Sequence, residues 1–130
     1  MKGTEGVKAW VLKADADFDD AIAAARRRKP GAADIACFHA QQCVEKYLKA
    51  FLVMHRVQFP KTHDLARLVN LAEGADPLVG ALNADASSLT DYSVNIRYPG
   101  DEATPEEARA ALKTMKKIRS FLRKKLGLEK

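Results

Sequence analysis

Cysteine is scarce in this 130-residue chain, with only Cys37 and Cys43 present. They lie six apart in a stretch that reads as helix, on different faces and nearly two turns from each other, too far for a disulfide. Neither has a CxxC partner or a metal-ligand spacing to His39, His55 or His63, the three histidines. A disulfide scaffold is excluded, and both thiols are expected to be buried and reduced. Long apolar runs are missing as well, so no segment is expected to span a membrane. The opening MKGTEGVKAW turns acidic before an apolar signal-peptide core can form, and a cytoplasmic chain is the expectation. Neither GxxxxGKS/T nor GxGxxG occurs, which removes the common phosphate loops, and there is no HExxH. No cofactor and no metal are expected. Strand-like alternation never lasts more than a few residues.

What remains suits a helical protein. The length fits one domain over residues 1–130, with 47% apolar and 30% charged residues. The net charge of +5 permits an anionic partner without demanding one. Its distribution says more: RRRK at 26–29 and KKIRSFLRKK at 116–125 are basic, while 15–20 is acidic.

Val7, Val11, Ala14, Phe18, Ala21 and Ala25 recur in steps of four and three, one face of a first helix that Pro30-Gly31 stops. A second helix, from near Asp34 to about Arg56, carries Cys37, Ala40, Val44, Tyr47, Leu48 and Phe51 inward. Thr62 is placed to cap a short third helix that Gly74 and Pro77 close. Leu78, Leu82, Ala86, Leu89, Tyr92 and Ile96 predict a fourth helix ended by Pro99. TPEE at 104–107 reads as a capping box for a last helix that buries Ala108, Ala111, Met115, Ile118, Leu122 and Leu126. The fold class is therefore all-α, an antiparallel up-and-down four-helix bundle with one additional short helix.

That topology gathers Arg26, Arg27, Arg28, Lys29 and Arg97 at one end of the bundle, beside two helix N-termini. Such an end suits an anion, phosphate included. The competing reading makes Arg97 a cation that closes its own helix, neutralised by Asp101, Glu102 or Glu106. His63 beside Asp64 has the residue types of an oriented general base, but a polar pair at a helix start is unremarkable. The stripe Gln41, Gln42, Glu45, Lys46 and Lys49 reads as solvated surface in a monomer, or as a hydrogen-bonded seam in an assembly.

ACFHAQQCVEKYLKAFLV at 36–53, KTHDLARLV at 61–69, YSVNIRYP at 92–99 and the cationic last helix resemble the HEPN domain family over residues 7–125. The likeness is to the small stand-alone proteins encoded beside minimal nucleotidyltransferases. It implies a helical bundle, usually a homodimer, and a non-catalytic substrate-binding or regulatory partner of a nucleotidyltransferase, within a toxin–antitoxin-like pair. The implied ligand is a nucleotide or other phosphate held by Arg97, with Tyr98 stacking on a base and Gln42, Glu45 and Lys49 forming a wall of the site or the dimer seam. Many HEPN proteins are metal-independent ribonucleases that use an arginine followed, after four to six intervening residues, by a histidine. After Arg97 those positions hold Glu102, Ala103 and Thr104, so the proton-transfer group is missing and Arg97 reads as a binder. Two alternatives stand beside this reading: a ribonuclease toxin with a degenerate motif, and a pure assembly module. Weak RNA binding by the basic last helix is a further expectation.

Overall fold

The computed structural model describes residues 3–93 and 98–128. Its elements are α1 (Gly3–Ala25), α2 (Ala32–Met54), α3 (Leu65–Ala75), a 3-10 segment at Pro77–Leu82, α4 (Asn83–Ser87), a second 3-10 turn at Thr90–Ser93, and α5 (Pro105–Lys125). No strand occurs among the described residues. α1 lies along α2, α2 against α5, and α3 packs on α2 and on the short helices that follow it.

Side-chain pairs fix the directions. Tyr47 of α2 meets Asp15 of α1, and Lys46 meets Asp17, so the two helices run antiparallel. Lys125 pairs with Asp76 at 2.8 Å and Lys117 with Asp85 at 2.7 Å, so the chain from 76 to 93 climbs antiparallel to α5. The partly exposed Asp76 carboxyl is held below the ordinary aspartate range by the hydrogen bond from Lys125 and then by the Leu78 N–H. The up-and-down bundle is thus the fold that the apolar periodicity predicts.

Tyr47, Leu48, Phe51, Leu52, Leu65, Leu68, Met115, Ile118 and Leu122 form the centre of the core. α1 contributes mainly small side chains, Ala14, Ala21 and Ala24, which let it lie close on α2. Thr104 Oγ1 accepts from Glu107 N at 3.0 Å while Glu107 Oε1 accepts from Thr104 N at 2.8 Å, completing the expected capping box. Such a cap contributes about 1 kcal/mol.

Three expectations change. The fourth passage of the bundle is not one helix but a 3-10 segment, a single α turn and another 3-10 turn. Winding from Pro77 at three residues per turn buries Val79 and Leu82 and leaves Leu78 63% exposed. Ala24 rather than Ala25 is buried at the end of α1. Asp64, not Thr62, caps α3, accepting from Arg67 N at 3.4 Å, and Thr62 Oγ1 instead receives Asp64 N at 3.0 Å. Both cysteines are buried, as expected, and burial pushes the Cys43 thiol up.

Candidate functional site

The basic end of the bundle begins with RRRKPG. α1 ends at Ala25, and its last carbonyls are taken up by Arg26 N to Ala23 O at 3.2 Å and Arg27 N to Ala24 O at 3.1 Å. Gly31 then adopts φ 88°, a left-handed turn that a side chain would strain, and it leads straight into α2. It offers no side-chain cap; Ala32 N is taken by Lys29 O at 3.2 Å, which leaves the N–H groups of Ala33 and Asp34 without a cap in the first turn of α2. Across from them, Ala103 N donates to Asp34 Oδ1 at 2.6 Å and ties the chain before α5 to the start of α2. Between these pieces lies a groove of ≈ 1250 Å³ lined by Arg26, Arg27, Arg28, Lys29, Glu102 and Arg109 among others. Arg26, Arg27, Arg28 and Lys29 are exposed, and no ion pair occupies them among the described residues. These four cations thus stand at the end of the bundle where α2 and α5 begin, the place the sequence predicts for them.

Arg97 lies outside the described residues. Tyr98 sits in the chain leading to α5, 73% exposed, and its carbonyl accepts from Asp101 N at 2.9 Å in a tight turn.

The polar stripe of α2 departs from the expected solvated surface. Gln41 is 0% exposed, Glu45 3% and Lys49 7%. Glu45 Oε2 accepts from Lys49 Nζ at 2.8 Å, and its Oε1 accepts from Gln41 Nε2 at 3.0 Å and pairs with His63 Nδ1 at 2.8 Å. Gln42 Nε2 donates to Gln41 Oε1 at 2.7 Å. The cover comes from elsewhere in the chain. The 55–64 loop folds back so that His63 reaches Glu45, and Lys49 lies 5.5 Å from the Trp10 ring and 5.9 Å from that of Phe59. Burial pushes the Glu45 carboxyl up, but the hydrogen bonds from Lys49, His63 and Gln41 outweigh it and hold the group below its ordinary value.

Gln42, Glu45 and Lys49 are thus brought together, with His63 as an added member. Glu45 is eleven residues beyond Asp34 along α2, about 16 Å from the basic groove along the helix axis. Among the described residues no contact joins Tyr98 to this cluster.

A third polar network was not legible in the sequence. Tyr47 donates its hydroxyl to Asp15, Arg119 Nε reaches Asp15 Oδ1 at 3.2 Å, and Arg123 Nη1 donates to Tyr47 Oη at 3.0 Å. Beside it, Asp17 takes His39 at 2.7 Å and Lys46 at 2.6 Å. Burial, together with the Asp15 hydrogen bond and against the opposing Arg123, pushes the Tyr47 phenol up to about 12, so it stays a neutral donor. The one signal for this network was the acidic run 15–20 facing the cations of α5.

The HEPN domain family model matches residues 7–125, nearly the whole chain. The chain belongs to the HEPN domain family. Its bundle superposes on the crystal structure of ST0689, an archaeal HEPN homologue, with a TM-score of 0.72 at 21% identity, covering 96% of this chain and 98% of that one. It is also similar to TT1696 from Thermus thermophilus, with a TM-score of 0.69 at 26% identity, covering 92% and 97%. No curated protein matches the chain. Within this HEPN bundle no helix of the described residues is long and apolar enough to cross a membrane.

Proposed function

We propose that this HEPN protein is a non-catalytic binding partner of a nucleotidyltransferase, holding a nucleotide or other phosphate-bearing ligand at the basic end of its bundle. One observation carries the reading: Arg26, Arg27, Arg28 and Lys29 line a groove at the uncapped start of α2 and have no described ion pair to satisfy them. A phosphate there gains charge-assisted hydrogen bonds from guanidinium groups and the free N–H groups of a helix N-terminus. Arg97 and Tyr98 precede the loop that borders the groove and are assigned to the same ligand, Arg97 to phosphate and Tyr98 to the base. Gln42, Glu45 and Lys49 have a different part in this reading. They are a polar seam that orients α2, buried at Glu45 and Lys49 and half-buried at Gln42, and the groove takes the ligand. A homodimer in the cytoplasm is the assembly we propose.

The experiment is a pull-down of the tagged protein from its own host, followed by thermal-shift titration of what is recovered with nucleoside mono-, di- and triphosphates. Stoichiometric recovery of a nucleotidyltransferase, with a nucleotide-dependent shift that Arg97→Ala abolishes, supports the reading. A protein recovered alone and unmoved by every nucleotide overturns it in favour of an assembly module. Growth arrest on expression, relieved by Arg97→Ala, favours a ribonuclease.

A further inference from the structure

After Glu107 the chain carries no acidic residue as far as Leu128, while it carries eight cations. Helix geometry sorts them. Arg119 and Arg123 turn to Asp15, and Lys125 turns to Asp76, all three partly buried. Arg109, Lys113, Lys116, Lys117 and Lys124 fall instead within an arc about 100° wide, opposite the buried Ala111, Met115, Ile118 and Leu122. All five are exposed, and they run for about 22 Å along one straight helix. Two of them have an acid nearby: Glu106 lies 3.4 Å from Arg109, and Asp85 lies 2.7 Å from Lys117. Both pairs are largely solvated, and such pairs hold their cations weakly. Lys113, Lys116 and Lys124 have no ion pair among the described residues.

We infer that this face of α5 is a docking surface for the phosphate backbone of a nucleic-acid duplex, bound without regard to sequence. A domain with pI ≈ 9.3 and four lysines and an arginine along one helix face has the electrostatic footprint of a polyphosphate partner. The face favours a duplex over a single strand because it offers no ring for bases to stack on. Phe121, the aromatic residue of α5, is half-buried with Lys125 5.7 Å from its centroid. The face holds cations on a straight exposed helix with no Asn or Gln among them, a set suited to phosphate contacts that fix position and carry no sequence information. A duplex presents one charge per about 1.7 Å of axis, so a row of cations about 22 Å long, Arg109 to Lys124, meets a dense, rigid array. Arg109 also borders the groove, but the face uses none of the groove's other cations and requires no nucleotidyltransferase.

The test is fluorescence anisotropy of the full chain with labelled DNA and RNA duplexes of about 20 base pairs and a single strand of equal length. Duplex binding in the micromolar range is expected at about 50 mM salt, with about a hundredfold loss by about 200 mM if some four phosphates are engaged. Lys113→Gln/Lys116→Gln/Lys124→Gln should flatten the log–log salt slope by about 2 to 3 and lower affinity at least about tenfold, with an unchanged circular dichroism melt. Arg27→Gln/Arg28→Gln, on the groove, should leave duplex binding near that of the parent. A preference for DNA or for RNA names the source of the duplex. No duplex binding at low salt, tighter binding of the single strand, or loss through the groove variant but not through the lysine variant overturns the inference.

Discussion

Glu45 Oε2 and Lys49 Nζ stand 2.8 Å apart on successive turns of α2, and each side chain keeps less than a tenth of its surface in contact with water. Gln41 and His63 fill the remaining acceptor sites of the carboxylate. This differs from the i,i+4 pair of an exposed helix, worth a few tenths of a kcal/mol. Removing one member of a buried pair leaves the other charged and unmatched. Lys49→Met keeps the volume and deletes the charge, and about 3 kcal/mol of stability should go with it in a denaturant titration. A loss below about 0.5 kcal/mol would show that the carboxylate does not need the ammonium.

Acid should act through the same carboxyl. In the folded chain Glu45 is held below its ordinary value, so the unfolded state binds its proton first as pH falls. The stability from Glu45 is therefore complete above the ordinary glutamate range. It drains away as pH drops from about 4.3 through the lower folded value. Glu45→Gln should be less stable at neutral pH and should show a shallower decline from about pH 5 to about pH 3. Parallel declines in the two proteins would place the acid sensitivity elsewhere.

Two helix ends solve one geometric problem with different residues. At the end of α5, Gly127 takes φ 76° while Leu128 N reaches Arg123 O at 2.9 Å and Gly127 N reaches Lys124 O at 3.1 Å. At the end of α2, Val57 N reaches Leu52 O at 2.9 Å and Arg56 N reaches Val53 O at 3.0 Å, with Arg56 at φ 58°. Both are Schellman ends, and glycine is the residue that suits the left-handed position. Arg56→Gly should raise stability by about 0.5 kcal/mol, the left-handed strain of roughly 1 kcal/mol or more less the added freedom of the unfolded chain. A decrease on thermal denaturation would mean that the Arg56 side chain holds a contact worth more than its backbone strain.

The groove cations should be separable from the fold. Arg27 and Arg28 are exposed and have no described ion pair, so Arg27→Ala/Arg28→Ala should melt within about 0.5 kcal/mol of the parent. The same variant should lose most of any nucleotide-induced thermal shift. A full shift in the variant would remove these arginines from the site.

The regular helices were legible because their apolar spacing leaves one solution. The 77–93 passage was not, although Leu78, Leu82, Ala86 and Leu89 have helical spacing. Gly80, Asn83, Asp85, Ser87 and Ser88 propagate a helix poorly. Ser88 Oγ donates to the Asp85 carbonyl at 2.7 Å and Ser87 Oγ to Asn83 Oδ1 at 3.3 Å, local bonds that compete with a longer helix. The basic groove could be read once the helices alternated, since its cations are consecutive. The burial of Glu45 and Lys49 could not. Trp10 and Phe59 reach Lys49, and His63 reaches Glu45, from distant parts of the chain, and no local pattern reports that folding back.

The broken fourth passage divides the molecule by depth of protection. α1, α2 and α5 each carry more than twenty residues of continuous helical bonding, whereas between Pro77 and Ser93 no helical piece exceeds six. Short 3-10 turns have poorer bond geometry and little cooperativity to resist opening. In native-state hydrogen exchange, the amides of 77–93 should trade with solvent through local openings well before those of α2, whose slowest amides report global unfolding. The bundle is in this sense three rigid staves and a hinged fourth, and the chain that follows that fourth stave leads to Tyr98 and the basic groove.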